Sequence, residues 1–199
     1  VVFPRLLDFM LSRRRMMRDR RQTLAAAEGD VLEIGFGTGL NLSCFPETVK
    51  QLTVIDPAPM MKRTVARRIA SAPMPVEKAY LDAEHLPFET DRFDCVVSTW
   101  TLCTIPDAKA ALCEVKRVLR PGGRFLFLEH VRSEDEQVAA KQDRWNRFQQ
   151  IVGCGCNLNR PIERMIAEAG LNVTACERFM MPKSPRMVAE HIRGTAHAE

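Results

Sequence analysis

VLEIGFGTGL, residues 31–40, joins an apolar run to three glycines set one residue apart. Val31, Leu32 and Ile34 around Glu33 have the makeup of a buried strand, and strands that read apolar throughout belong to parallel sheets covered on both faces. A turn needs one glycine, or two. Three at alternate positions give a length of bare backbone whose amides can come close to a ligand. The stretch predicts a strand, a ligand-binding loop and a helix from about Leu40.

In open α/β sheets such a loop lies where the strand order reverses, which is where ligands bind. A dinucleotide requires G-x-G-x-x-G. Here Leu40 stands in place of the third glycine. Glu33 beside the loop repels phosphate and attracts an amino group or a sulfonium. A cationic ligand therefore fits better than a doubly anionic one. The rival reading is a nicotinamide-dependent oxidoreductase, which would bind NADH more tightly than a sulfonium-derived nucleoside.

Outward from this loop, short apolar runs alternate with helical stretches. Strands are predicted at 51–56, 75–81, 94–99 and 124–130, with helices at 61–70 and 108–119; the second helix exits through RPGG. Further helices are expected at 141–152 and 161–170, and strands at 172–179 and 187–196. The pattern is an α/β doubly wound domain without repeats or an evident linker.

The chain has 199 residues, with 46% hydrophobic and 27% charged, ordinary values for a globular protein. No apolar run approaches the roughly 20 residues that span a bilayer. Seven cysteines at irregular spacings indicate free thiols in a reducing compartment. Cys154 and Cys156 form a C-x-C without a second pair at zinc-finger spacing, so no metal is expected. Residues 1–27 carry seven Arg against Asp8 and Asp19, and Phe3, Met10, Met17 and Leu24 recur every seven residues. This is an amphipathic helix whose Arg-rich face is read as solvated, with contact to an anionic membrane surface as the alternative. Nucleic acid is not expected, because the rest of the chain is not basic.

E-x-G-x-G-x-G at 33–39 resembles the first motif of class I S-adenosylmethionine-dependent methyltransferases, and further segments agree in order over residues 30–130. The resemblance implies a Rossmann-like fold with a seven-stranded, mostly parallel sheet, the last strand antiparallel, and helices on both faces. It implies S-adenosylmethionine as donor and S-adenosylhomocysteine as product. Residues 1–27 would form a helical lid, 28–130 the cofactor-binding core, and 131–199 the substrate lid and C-terminal strands of one domain. Glu33, Gly35, Gly37, Gly39 and Asn41 would line the donor loop. In VIDPAPMM, Asp56 would hold the ribose hydroxyls, with Pro57 beside it and Met61 over the adenine. In LDAEHLPF, Asp82 and Ala83 would meet the adenine edge. In FDCVVSTWTL, Thr99 and Leu102 would flank the methionine part.

Four flanking segments, GTGLNL, STWTLCTIPD, LFLEHVRS and GCNLNRPIE, are similar to the methyltransferase-like family acting on small thiols and to its bacterial relatives. The acceptor expected from this is a small, mostly apolar thiol. Quinone-type C-methyltransferases share the DAEHLPF-like motif, so a quinone, phenol or lipid acceptor is the alternative, and an inactive cofactor-binding protein is a third reading. Animal members attach to membranes through an N-terminal apolar segment, and residues 1–27 contain none; a cytoplasmic location, with peripheral membrane contact as the alternative, is expected. His130 is the candidate base or orienting group, beside its reading as a hydrogen-bonded structural histidine. Arg160 reads as a helix cap or as a partner of Glu163, and Cys103 and Cys156 as packing residues. Phe3, Leu7, Met10, Trp100, Trp145, Phe148 and Met180 are expected to line the acceptor pocket.

Overall fold

A computed structural model describes residues 8–57, 61–153 and 155–198. Its centre is a seven-stranded sheet formed by β1 (Gly29–Ile34), β2 (Val49–Ile55), β3 (Val76–Ala79), β4 (Phe93–Thr99), β5 (Leu119–His130), β6 (Leu171–Met180) and β7 (Glu190–Ala198). The order is β3-β2-β1-β4-β5-β7-β6. β1 to β5 pair in parallel, and β7 lies antiparallel between β5 and β6. The strand order reverses at β1, so its C-terminal end, where the glycines begin, sits at the switch point.

Side chains that alternate along a strand face opposite sides of the sheet. Leu32 and Ile34 of β1, Val96 of β4, and Phe125 and Phe127 of β5 enter one apolar cluster. Their neighbours Val31, Cys95, Val97 and Leu126 enter the other. Helices α1 (Arg14–Leu24), α2 (Lys62–Ala70), α3 (Ala108–Val118), α4 (Glu136–Val152), α5 (Ile162–Glu168) and the short α6 (Arg186–Ala189) complete the chain. Leu112, Val115 and Val118 of α3 and Ile162 and Ile166 of α5 close the first cluster, and Leu24 of α1 joins the second. Each such side chain contributes about 1.5–3 kcal/mol through burial.

Four local expectations change. Leu40–Ser43 forms one 3₁₀ turn rather than a longer helix. RPGG does not end the strand ladder's partner helix as a free loop. It bulges within β5, whose pairing with β4 jumps from Phe93↔Leu119 to Cys95↔Arg124, and Gly122 takes φ +76° there. The segment before β7 spends Arg186–Ala189 as a helical turn, so the strand starts at Glu190. The N-terminal helical stripe holds in Met17 and Leu24, which pack inward, while Met10 is half exposed and Phe3 lies outside the described residues. No helix among the described residues is long and apolar enough to cross a membrane.

Candidate active site

The glycine loop leaves β1 by pairing onto β2: the amides of Gly35 and Phe36 both donate to Ile55 O, at 3.0 and 3.1 Å. Gly35, Gly37 and Gly39 all have positive φ, at 75°, 56° and 79°. A Cβ at Gly35 would stand 2.1 Å from Thr101 Oγ1, and one at Gly39 would stand 2.8 Å from the Phe36 ring. Glycine is thus required for backbone conformation and for close packing as much as for ligand approach. The Gly37 amide donates to Asp56 Oδ2 at 2.8 Å, linking the loop to the end of β2.

A buried polar cluster lies behind the loop. Asn41 Nδ2 donates to Glu33 Oε1 at 2.8 Å and to Thr99 Oγ1 at 3.0 Å. Arg20 of α1 enters the same cluster and donates from Nη1 to Asn41 Oδ1 at 2.6 Å and to Thr99 Oγ1 at 2.8 Å. Its guanidinium also lies 4.6 Å over the Trp100 ring. Burial pushes the Glu33 carboxyl up to about 8, against the pull of Asn41 and Arg20. Burial likewise lowers Arg20 to about 10. For both groups desolvation outweighs their mutual attraction.

Sequence reasoning had counted Arg20 among solvated arginines. Its spacing carried the missed signal, since 17, 20 and 24 fall on one helical face with Met17 and Leu24. Asp8 anchors the same N-terminal region, accepting from Arg68 at 2.8 and 3.1 Å and from Thr38 Oγ1.

The remaining expected donor residues are spread around this rim. Pro57 is exposed beside Asp56. Met61 starts α2 in the left-handed region, at φ 43°. Ala83 is buried. Asp82 turns its carboxylate onto its own loop, where it accepts from the amides of Glu84 and His85 at 3.2 and 3.1 Å. Leu102 is fully buried, and its amide donates to Glu129 Oε1 at 3.2 Å together with Thr101 N and Ser98 Oγ. Glu129 therefore pins the turn after β4, and its own pKa is raised by burial.

His130 ends β5 beside two cysteines from other segments. Cys156 Sγ lies 3.9 Å from His130 Nε2 and 3.7 Å from Cys103 Sγ. The hydrogen bond between the two thiols, with burial, pushes the Cys103 thiol up, and the same bond with His130 beside it pulls the Cys156 thiol down. Arg160 neither caps a helix nor pairs with Glu163, which bonds to Arg178 instead. It donates to the carbonyls of Leu102, Ile105 and Pro106 and so clasps the loop after β4.

The expected apolar lining does not gather. Trp145 and Phe148 meet edge to face on an exposed face of α4, Met180 is half exposed, and Phe3 and Leu7 lie outside the described residues.

Of the buried polar atoms at this rim, Glu33 Oε2, Arg20 Nε, Trp100 Nε1 and Glu129 Oε2 have no partner among the described residues. An acceptor oxygen left bare beside a glycine loop fits a ligand bearing an ammonium group, such as an amino-acid sulfonium donor. Fold and site together define a class I methyltransferase that takes S-adenosylmethionine as its donor. Residues 32–127 match the methyltransferase domain family. The human thiol S-methyltransferase TMT1A is 32% identical over 200 residues, covering 94% of this chain and 79% of that one. The phosphatidylethanolamine N-methyltransferase of Cereibacter sphaeroides is 31% identical over 159 residues, 77% of each chain. The N-methyltransferase NodS of Bradyrhizobium japonicum WM9, solved with S-adenosyl-L-homocysteine, shares the fold at TM-score 0.69 and 19% identity, over 94% of this chain and 87% of that one. The chain belongs to the family of S-adenosylmethionine-dependent methyltransferases that includes the thiol S-methyltransferases.

Proposed function

We propose that this enzyme methylates a small, mostly apolar thiol. The similarity to a thiol S-methyltransferase along 94% of the chain carries this reading, because it extends through the segments outside the donor-binding half. The donor brings an already activated methyl group on a sulfonium. The chain has then to hold a nucleophile in line with that carbon and keep water away. In this reading Glu33 and Asn41 receive the amino-acid end of the donor, Asp56 the ribose, Met61, Asp82 and Ala83 the adenine side, and Thr99 and Leu102 the methionine chain. His130 and Cys156 face the acceptor.

A thiol needs little help to ionise, since its unperturbed pKa is about 8.5. That suits a rim where His130 and its neighbour His191 are titratable side chains at the end of β5. The similarity to a lipid N-methyltransferase favours a second reading, a phospholipid amine acceptor. Turnover of a labelled methyl donor against alkyl thiols, quinols and phosphatidylethanolamine separates them. We expect product from the thiols alone. Methylation of quinol or lipid without thiol turnover rejects the proposal.

A further inference from the structure

Three soft donor atoms from separate parts of the chain meet at the rim of β4 and β5. Cys103 lies in the turn after β4, His130 is the last residue of β5, and Cys156 sits in the loop after α4. One ligand atom of each lies within 4.8 Å of the others, and Cys156 Sγ is 3.7 Å from Cys103 Sγ and 3.9 Å from His130 Nε2. We propose that Cys103, His130 and Cys156 form a three-ligand site for a thiophilic divalent cation of the zinc class, with the fourth position open to the acceptor sulfur.

The dimensions suit that ion. Zinc holds thiolate sulfur at about 2.3 Å and imidazole nitrogen at about 2.0–2.1 Å in a tetrahedron, which sets neighbouring ligand atoms about 3.5–3.8 Å apart. The two sulfurs already stand at that separation, and the imidazole nitrogen lies 3.9 Å from the Cys156 sulfur and within 4.8 Å of the Cys103 sulfur. The sulfur–sulfur distance of 3.7 Å far exceeds the roughly 2.05 Å of a disulfide. Packing accounts for two thiols in contact, but it does not call for an imidazole nitrogen at the same sulfur. Thiolate and imidazole donors select zinc-class ions over magnesium or calcium.

The scaffold holds the donors in place before any ion arrives. Cys103 O accepts from both the amide and the side chain of Asn157, at 2.8 and 3.0 Å. Asn157 Oδ1 in turn accepts from Asn146 and Gln150 of α4, at 3.1 and 2.7 Å. Arg160 binds the carbonyls on either side of this turn, and His130 is fixed by its pairing with His191 of β7. The two cysteine loops are thus bonded to each other next to the sulfurs. Cys103 is buried and Cys156 is half-buried, so an ion would enter from the Cys156 side. The three ligands span 53 residues, with His130 26 residues before Cys156, which is why no finger-like spacing announces them.

Three protein ligands with one open position are the pattern of catalytic rather than structural zinc. A thiol taking that position would lose its proton to solvent, because metal coordination deprotonates thiols outright. Its sulfur would then bond to the donor's methyl carbon as the bond from that carbon to the sulfonium sulfur breaks, and the electron pair would leave with the neutral thioether. This use of the fourth position rests on the thiol reading above. The three-ligand site does not.

The test uses the full chain, reduced, stripped with a chelator and titrated with Co²⁺. One equivalent should give the sulfur-to-cobalt charge-transfer band and the intense visible bands of a four-coordinate ion, and Zn²⁺ should erase both. Cys156→Ser and His130→Ala should each weaken Co²⁺ binding by at least about tenfold, while Cys113→Ser, at an exposed site, should leave it unchanged. Cys156 lies in a half-buried loop, so its serine variant keeps the test open should Cys103→Ser fail to fold. Adding an alkyl thiol should shift the cobalt spectrum, and raising the pH should not rescue turnover of His130→Ala. Absence of the charge-transfer band, or its survival in both Cys156→Ser and His130→Ala, overturns the site. So does a chain that forms the Cys103–Cys156 disulfide and binds no cobalt after reduction. Full thiol turnover by the stripped enzyme overturns the fourth-position role and leaves the thiol reading standing; an intact cobalt site without thiol turnover overturns the thiol reading and the fourth-position role with it, and leaves the three-ligand site standing.

Discussion

The two halves of the rim are built from different materials. On the donor side, Glu33, Asn41, Thr99 and Arg20 form a hydrogen-bonded cluster in which every member is buried. At the end of β5, thiols and an imidazole meet at longer range, and the loop after α4 that carries Cys156 has tethers on its outer face. Arg132 bonds to Asp143 at 2.6 and 2.8 Å, and Asn159 of that loop bonds to the same carboxylate at 2.8 Å, all on exposed atoms. Buried polar contacts are costly to lose, and exposed ones are cheap. The cluster around Glu33 is therefore held by buried contacts at every member, whereas the loop that carries Cys156 joins buried and part-buried bonds from Asn157 and Arg160 to exposed tethers.

Gly35→Ala should have the largest effect. The left-handed backbone costs about 1–2 kcal/mol for a residue with a Cβ, and a Cβ 2.1 Å from Thr101 Oγ1 adds overpacking of about 1–3 kcal/mol. Denaturant unfolding should show a loss of roughly 2–5 kcal/mol. A variant as stable as the parent would mean that the donor side is not rigid.

Glu33 offers a pH test of the same cluster. Its pKa rises from 4.5 to about 8 in the folded chain through burial. Between those values the folded chain keeps a proton that the unfolded chain has lost, so stability is fullest below about pH 4 and falls as pH climbs toward 8. The total change is at most about 5 kcal/mol. Glu33→Gln should flatten this slope. Donor affinity should move the opposite way, because a cation beside Glu33 favours the carboxylate. Unfolding free energies and S-adenosylhomocysteine titrations at pH 5 and pH 8 would reveal both trends.

Asp56→Ala should weaken S-adenosylhomocysteine binding by roughly 1.5–3 kcal/mol, the range for hydrogen bonds to a charged group. Titration calorimetry reads it directly, and unchanged affinity removes Asp56 from the donor site. On the other side of the rim, Asp143→Asn should cost no more than about 1 kcal/mol in stability, as exposed ion pairs do. Loss of several kcal/mol there would erase the contrast between the two halves.

The sheet and the donor loop were legible because their signals are local. Apolar runs of strand length, glycines at alternate positions and a carboxylate at Glu33 all fall within a few residues of one another. Where two local signals competed, the reading slipped. RPGG carries helix-exit residues, yet pairing with β4 carries it into β5 as a bulge. Leu40 follows a glycine loop like a helix start, but the chain turns after four residues. Arg20 was hidden by the five other arginines packed around it. Cys103 and Cys156 stand far from His130 in sequence, so the approach of Cys156 to that ring, at 3.9 Å, shows only in the folded chain.

The place of β7 has a consequence for how the chain is made. It pairs with β5 along Arg124–His130 and with β6 along Leu171–Met180, yet it follows every other strand in order of synthesis. Until Glu190–Ala198 leaves the ribosome, β5 keeps an open edge and β6 has no neighbour within the sheet. Open edges recruit strands from other chains, and partly folded species that expose them aggregate. A premature stop just before Glu190 would therefore do more than trim an outer strand: it would strip two strands from the sheet and bare a third. Such a truncated product should collect in the insoluble fraction even though the whole donor loop has already been made.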